Sequence, residues 1–222
     1  MFHKKTLKDF DIAGKRILLR ADYNVPLTDK GEVASDYRIK CSIPTIKALQ
    51  EKGCKIVICS HLGRPKNALD TKCSLRPVAK RLSVLLNQPV SFATDCIGDE
   101  VAGAVDNLEP GGILLLENLR FYNEEESNDA DFAQKLVDSS KAEVFVQDGF
   151  GVVHRKHAST DAIAHILPSI AGLLLEKEVD TITDIMHNPK HPLMAIIGGA
   201  KIADKIDIIR AFIKKADIIA IG

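Results

Sequence analysis

Lys55-Ile56-Val57-Ile58-Cys59-Ser60-His61-Leu62-Gly63-Arg64-Pro65 decides the fold. After Lys55 its first half is apolar and rich in β-branched residues, as in a strand buried on both faces of a parallel sheet. Its second half carries an imidazole and a guanidinium, with Gly63 letting the backbone turn and Pro65 stiffening the exit. Ligands of open α/β sheets bind just beyond the carboxyl ends of such strands. By itself the stretch is a strand-end turn with two solvated side chains. The same event recurs at strand end after strand end, and the recurrence carries the reading.

Working outward, Arg16–Arg20, Val90–Ala93, Gly112–Leu116 and Val144–Val146 predict four more strands. Helices are expected between them. One runs over about 42–52, with Ser42 as cap, Pro44 in the first turn and Gly53 as the stop. A second is capped by Ser74 and carries Leu75, Val78, Leu82 and Leu85-Leu86 on one face. Two more are expected near 98–107 and 130–139. This alternation predicts an α/β fold, a Rossmann-like parallel sheet wound with helices, with right-handed crossovers putting the strand ends on one side. The acidic run Glu124–Asp129 reads as solvated surface.

After Thr160 the pattern changes. Residues 161–166 read as helical, Pro168 interrupts, and Ser169 is expected to cap a long helix reaching about His187. Asn188–Pro192 is a stiff break. Leu193–Ile197 then reads as a strand, Gly198–Lys201 as a tight turn, Ile202–Lys215 as a helix and Asp217–Ile221 as a strand. One βαβ motif cannot bury enough surface to be a domain. Its helix carries Ile202, Ile206, Ile209, Phe212 and Ile213, which need cover. The expected organisation is a first domain over 1–168, an interdomain helix over 169–188 and the truncated start of a second α/β domain over 189–222.

The 222 residues hold thirty basic and thirty acidic side chains, which cancel and argue against a nucleic-acid footprint or a polybasic membrane surface. Five cysteines, none spaced CxxC, read as reduced thiols, not as a zinc site. Met1–Lys5 lacks the apolar core of a signal peptide, and no apolar run is long enough to span a bilayer, so a cytoplasmic protein is expected.

The loops after the strands hold Asp22, Asn24 and Arg38, then His61 and Arg64, then Arg120, then His154, Arg155 and His157. Crowded cations repel and imply an anion that relieves them, and arginine forks match carboxylate and phosphate oxygens. Asp22 and Asn24 can exchange hydrogen bonds with a hydroxyl. The implied ligand is a phosphorylated hydroxy acid. A second constellation, Gly198-Gly199-Ala200-Lys201 to Asp204-Lys205, puts glycines at the opening of a helix whose backbone N–H groups favour phosphate. Lys201 and Lys205 share a helix face, and Asp204 could help hold a metal. A glycine turn with solvated lysines fits that stretch equally well. Neither GxxxxGK[ST] nor GxGxxG occurs, which leaves a nucleotide-binding oxidoreductase without its fingerprint.

Arg20-Ala21-Asp22-Tyr23-Asn24-Val25-Pro26-Leu27, Ser60–Pro65, Glu117-Asn118-Leu119-Arg120-Phe121, Asp148–Gly151 with His154–His157, and Gly198–Lys201 together resemble the phosphoglycerate kinase family, in the family's order. The resemblance implies two Rossmann-like domains, the first binding 3-phosphoglycerate and the second ADP or ATP with Mg2+. It implies substrate contacts at Asp22, Asn24, Arg38, His61, Leu62, Gly63, Arg64, Arg120 and Arg155. Nucleotide contacts fall to Gly199, Ala200, Lys201, Asp204 and Lys205, with no protein-held metal. Arg38 and Lys201 are the implied catalytic pair at the transferring phosphoryl group. Val152-Val153 stands where Thr-Ala is more usual, and Gly149 where Ala is usual. The family's chains continue well past Gly222, so this chain is expected to bind 3-phosphoglycerate without useful kinase activity. The full-length protein is expected to be a monomer, and the shorter chain open to self-association. The rival reading is a non-catalytic phosphoglycerate-binding module.

Overall fold

The computed structural model describes residues 4–66, 70–199 and 206–222, which fall into two compact units, Lys4–Glu176 and Lys177–Gly222.

The first unit is built on six parallel strands: β1 (Arg16–Arg20), β2 (Lys55–Cys59), β3 (Ser91–Phe92), β4 (Ile113–Leu115), β5 (Val144–Gln147) and β6 (Ser169–Ala171). Their order in the sheet is β3-β4-β2-β1-β5-β6. Side chains alternate across a strand, and here the alternation divides two cores. Ile17, Leu19, Ile56, Ile58, Val144 and Val146 face one way and pack with Ile39, Ile46 and Leu49 of α1 (Tyr37–Glu51) and Val78 and Leu82 of α2 (Arg76–Leu86). Leu18, Val57, Leu114 and Phe145 face the other way. They pack with Val101 and Val105 of α3 (Asp99–Asp106) and Phe132 and Leu136 of α5 (Ala130–Ser140). Helices on both faces are why the strands read as continuous apolar runs. A one-turn helix, α4 (Asn123–Glu126), precedes α5.

Three local expectations are corrected. The first helix begins at Tyr37, not Ser42, and Pro44 lies inside it. Ser42 is no cap: its hydroxyl donates to the Ile39 carbonyl at 2.8 Å and meets the Tyr23 hydroxyl at 2.8 Å. Ser169 does not cap the long helix either. Residues 169–171 form β6, paired with β5, and the helix, α6, spans Leu173–His187. Its first N–H groups are capped from afar. Thr45 Oγ1 accepts from Leu173 N at 3.0 Å, and Asp148 Oδ1 accepts from Leu174 N at 2.9 Å and Leu175 N at 3.3 Å. At the outer edge of β6 the chain start returns: Thr6 bridges Ala171 in parallel, and Ala171 N donates to Lys5 O at 2.9 Å.

In the second unit, β7 (Met194–Ile197) and β8 (Ile218–Ile221) pair in parallel, with α7 (Ile206–Ile213) between them in sequence. This is the expected βαβ order. No residue of α7 is buried, and Ile196 of β7 is 77% exposed.

Candidate functional site

The chain leaves β1 toward β2 and leaves β5 toward β6, in opposite directions across the sheet. Between these two strands, at their carboxyl ends, lies the topological switch point where α/β sheets bind ligands. The loops meet there closely. A Cβ on Gly151 would sit 2.6 Å from Asp22 Oδ2, so any larger residue there would have to displace the carboxylate.

Asp22 Oδ2 accepts from Arg38 Nη1 at 2.5 Å, and Asp22 Oδ1 accepts from Asn24 N at 3.2 Å. Arg38 is the second residue of α1, and its side chain is 48% exposed. Asn24 Oδ1 accepts from Gly63 N at 2.9 Å, which ties the loop after β1 to the loop after β2. Gly63 has φ 63°, and a Cβ there would press on Cys73 Sγ at 3.0 Å. From the other side Asn118 grips Leu62, accepting from its N at 3.2 Å and donating to its carbonyl at 2.7 Å. Arg120 Nη1 donates to Gly63 O at 2.7 Å, and Arg120 Nη2 pairs with Glu126 at 2.6 Å. Arg64, Arg120 and Arg155 come together around a cavity of about 410 Å³ that Pro65, Tyr122, Asn123 and Glu126 complete.

His61 is 2% exposed, and its Nδ1 lies 3.2 Å from Arg20 Nη2. A guanidinium only donates, so Nδ1 accepts and the neutral ring carries its proton on Nε2. Burial, then the charges of Arg20, Arg120 and Arg155, push the imidazole down to about 2, so it is neutral at physiological pH. His61 Nε2 and Arg120 Nε are both buried with no hydrogen-bond partner.

Sequence reasoning assigned no role to two residues behind this site. Arg20 is 1% exposed; its Nε donates to Ser159 Oγ at 2.8 Å and its Nη1 to Ala21 O at 2.5 Å. Glu125 is fully buried and accepts from Ser159 Oγ at 2.6 Å and Ser159 N at 3.0 Å. The acidic run is therefore not wholly solvated surface: Glu125 lies inside, and Glu126 pairs with Arg120. For Arg20 a signal was present. It continues a strand read as buried on both faces, where a charge must find a partner. For Glu125 no local signal exists.

A larger groove of about 1370 Å³ lies elsewhere on this unit, and none of the predicted site residues lines it. Among its charges, Asp36 pairs with both Lys40 and Arg81. In the second unit Gly199 is exposed with φ 107° just past β7; Ala200, Lys201, Asp204 and Lys205 lie outside the described residues. Among the described residues no group of three or more His, Cys, Asp or Glu is placed to hold a metal ion.

The phosphoglycerate kinase family profile matches residues 7–222. The chain belongs to the phosphoglycerate kinase family. It is 51% identical over 219 residues to the phosphoglycerate kinase of Desulforudis audaxviator (strain MP104C), covering 99% of this chain and 55% of that protein. To that of Borrelia hermsii (strain HS1 / DAH) it is 50% identical over 218 residues, covering 98% and 55%. Among solved structures, phosphoglycerate kinase from Pyrococcus horikoshii OT3 superposes with a TM-score of 0.87 at 32% identity, covering 98% of this chain and 55% of that one. The Coxiella burnetii phosphoglycerate kinase gives 0.82 at 32% identity, covering 99% and 54%. The chain thus spans about half the length of the family members it matches.

Proposed function

We propose that the cleft at the β1/β5 switch point binds 3-phosphoglycerate, and that the whole protein transfers a phosphoryl group reversibly between 1,3-bisphosphoglycerate and ADP. The observation that carries this is the pair of buried, unpartnered donors, His61 Nε2 and Arg120 Nε: Arg120 lines the cavity with Arg64 and Arg155, and His61 lies near enough to feel the charges of Arg120 and Arg155. Donors without acceptors suit a ligand rich in oxygen and negative charge. Arg64, Arg120 and Arg155 would take its anionic groups, His61 would donate to one oxygen, and Asp22 with Asn24 would meet its hydroxyl. Leu62 and Gly63 would shape the loop that holds Arg64. Arg38, half exposed and tethered to Asp22, is free at its outer edge to meet the transferring phosphoryl group.

The acceptor in the direction of ATP use is a carboxylate, already ionised at neutral pH, so no general base is needed. Catalysis then reduces to bringing two anions into line and neutralising the charge between them. Gly199, Ala200, Lys201, Asp204 and Lys205 would hold the phosphates of the nucleotide; ATP would give the phosphoryl group or ADP take it, and Mg2+ would supply counter-charge. The left-handed φ of Gly199 at the end of a parallel strand fits a backbone that approaches phosphate. We divide the protein functionally into a substrate domain that runs through β6, a linking helix α6 (Leu173–His187) and, after it, the start of the nucleotide domain. We place its work on small molecules in the cytoplasm; among the described residues no helix is long and apolar enough to cross a membrane.

Calorimetry at low salt tests the substrate reading. Heat of binding with 3-phosphoglycerate in the absence of nucleotide is expected, weakened in Arg64→Ala by roughly 1.5–3 kcal/mol, the worth of a charge-assisted hydrogen bond. Silence at millimolar ligand would sink it. In a coupled kinase assay this 222-residue chain is expected to show no useful turnover.

A further inference from the structure

Four buried side chains form one file behind the cavity. Glu125 accepts from Ser159 Oγ at 2.6 Å; Ser159 Oγ accepts from Arg20 Nε at 2.8 Å; Arg20 Nη2 donates to His61 Nδ1 at 3.2 Å. All four are 2% exposed or less. The direction of every link is forced. A carboxylate only accepts and a guanidinium only donates, so the serine proton points at Glu125 and the imidazole proton sits on Nε2. The file ends on that Nε2, which has no hydrogen-bond partner.

The charges follow the same line. Burial alone would raise the Glu125 carboxyl. Nearby His157, the charge of Arg20 and the two bonds from Ser159 more than offset it and hold the group below its usual range, as a carboxylate. The same carboxylate lies 3.8 Å from His157 Nδ1. Arg20 makes no direct ion pair among the described residues, so Glu125 answers its charge through one hydroxyl.

We infer that Glu125 is a positioning residue. Through Ser159 and Arg20 it fixes the tautomer of His61, so that an N–H and not a lone pair is offered to the bound oxyanion. This rests on the substrate reading above for the identity of the ligand, and on the hydrogen-bond file alone for the tautomer. It differs in sign from a plain charge effect: removing a nearby carboxylate would by itself strengthen anion binding, whereas losing the file weakens it.

Long-range 1H–15N NMR of the isotope-labelled chain reads the His61 tautomer without ligand, and calorimetry reads 3-phosphoglycerate affinity. The wild type is expected to show a single Nε2–H form. Glu125→Gln puts an amide donor against one of the two Ser159 donors, and Ser159→Ala removes the hydroxyl without changing charge. Each is expected to mix the tautomers and weaken binding about tenfold, the scale of one lost charged hydrogen bond. The double variant should be no weaker than either single, because both break one file. Val105→Ala, in the core around α3, supplies a comparison that loosens packing away from the file and should leave both readouts unchanged. An unaltered His61 tautomer in both variants overturns the inference, as does an equal affinity loss in Val105→Ala. If the wild type fails to bind 3-phosphoglycerate, the substrate reading falls, and the NMR result still decides the role of Glu125.

Discussion

β2 and β7 are built from nearly the same material and end in opposite surroundings. Ile56, Val57 and Ile58 of β2 are fully buried between β1 and β4, with helices over both faces. Ile196 of β7 is 77% exposed, and Met194 is 52% exposed, in a sheet of two strands. Local sequence sets strand character in both. Burial is set by how many neighbours surround the strand: among the described residues β7 pairs with β8 alone, whereas β2 lies between β1 and β4. The difference teaches that an apolar run reports what a segment needs, not what it has.

The largest test of this contrast is hydrogen exchange. Amides of β1, β2 and β5 should exchange only through global unfolding, at the roughly 5–15 kcal/mol typical of a domain. Those of β7 and β8 should be protected by about 1 kcal/mol or less. Equal protection by mass spectrometry would erase the distinction. Paired truncations come next. Ile58→Ala should cost about 2–5 kcal/mol in urea unfolding through the cavity it leaves, and Ile196→Ala should stay within about 0.5 kcal/mol.

A third test sharpens what burial does to polar groups in the first unit. Burial raises the Asp148 carboxyl to about 6 from 3.8, against the hydrogen bonds from Thr45, Leu175 and Leu174. Between those pH values the folded state binds the extra proton, so stability falls as pH rises through the window. The shift is worth about 3 kcal/mol. Asp148→Asn keeps an acceptor for Leu174 and Leu175 and cannot ionise. Its stability relative to the wild type should therefore rise by about that amount between pH 4 and pH 7 in urea titrations. A constant difference would show that Asp148 titrates normally. The smallest effect concerns packing beside the site. A Cβ on Gly149 would lie 3.1 Å from Val152 Cγ2, so Gly149→Ala should cost about 1 kcal/mol. Val152→Ala in the same chain should recover part of it, as a double-mutant cycle would reveal.

The strands and the rim residues were legible because apolar β-branched runs ending in charge are a local signal. The start of α1 was not, since Pro44 read as a first-turn proline although the helix tolerates it further in. β6 escaped because Ser169-Ile170-Ala171 is too short to show alternation and follows Pro168. Of the site, Arg38, His61, Arg64, Arg120 and Arg155 could be read as strand-end charges. The burial of Glu125 could not, because it depends on Arg20 and Ser159, which only the folded chain brings near.

The parallel bridge between Thr6 and Ala171 has a meaning for how the molecule is made. Thr6 pairs with the last strand of its own unit, made much later in synthesis, and the cap of α6 by Asp148 waits on Leu174 and Leu175. Such long-range closures are slow, since chain entropy is spent before contacts return it. Until residue 171 has emerged, the β5 edge that β6 will cover is an open template for another nascent chain. Completion of this sheet and initiation of the helix that leads out of it are one event in synthesis.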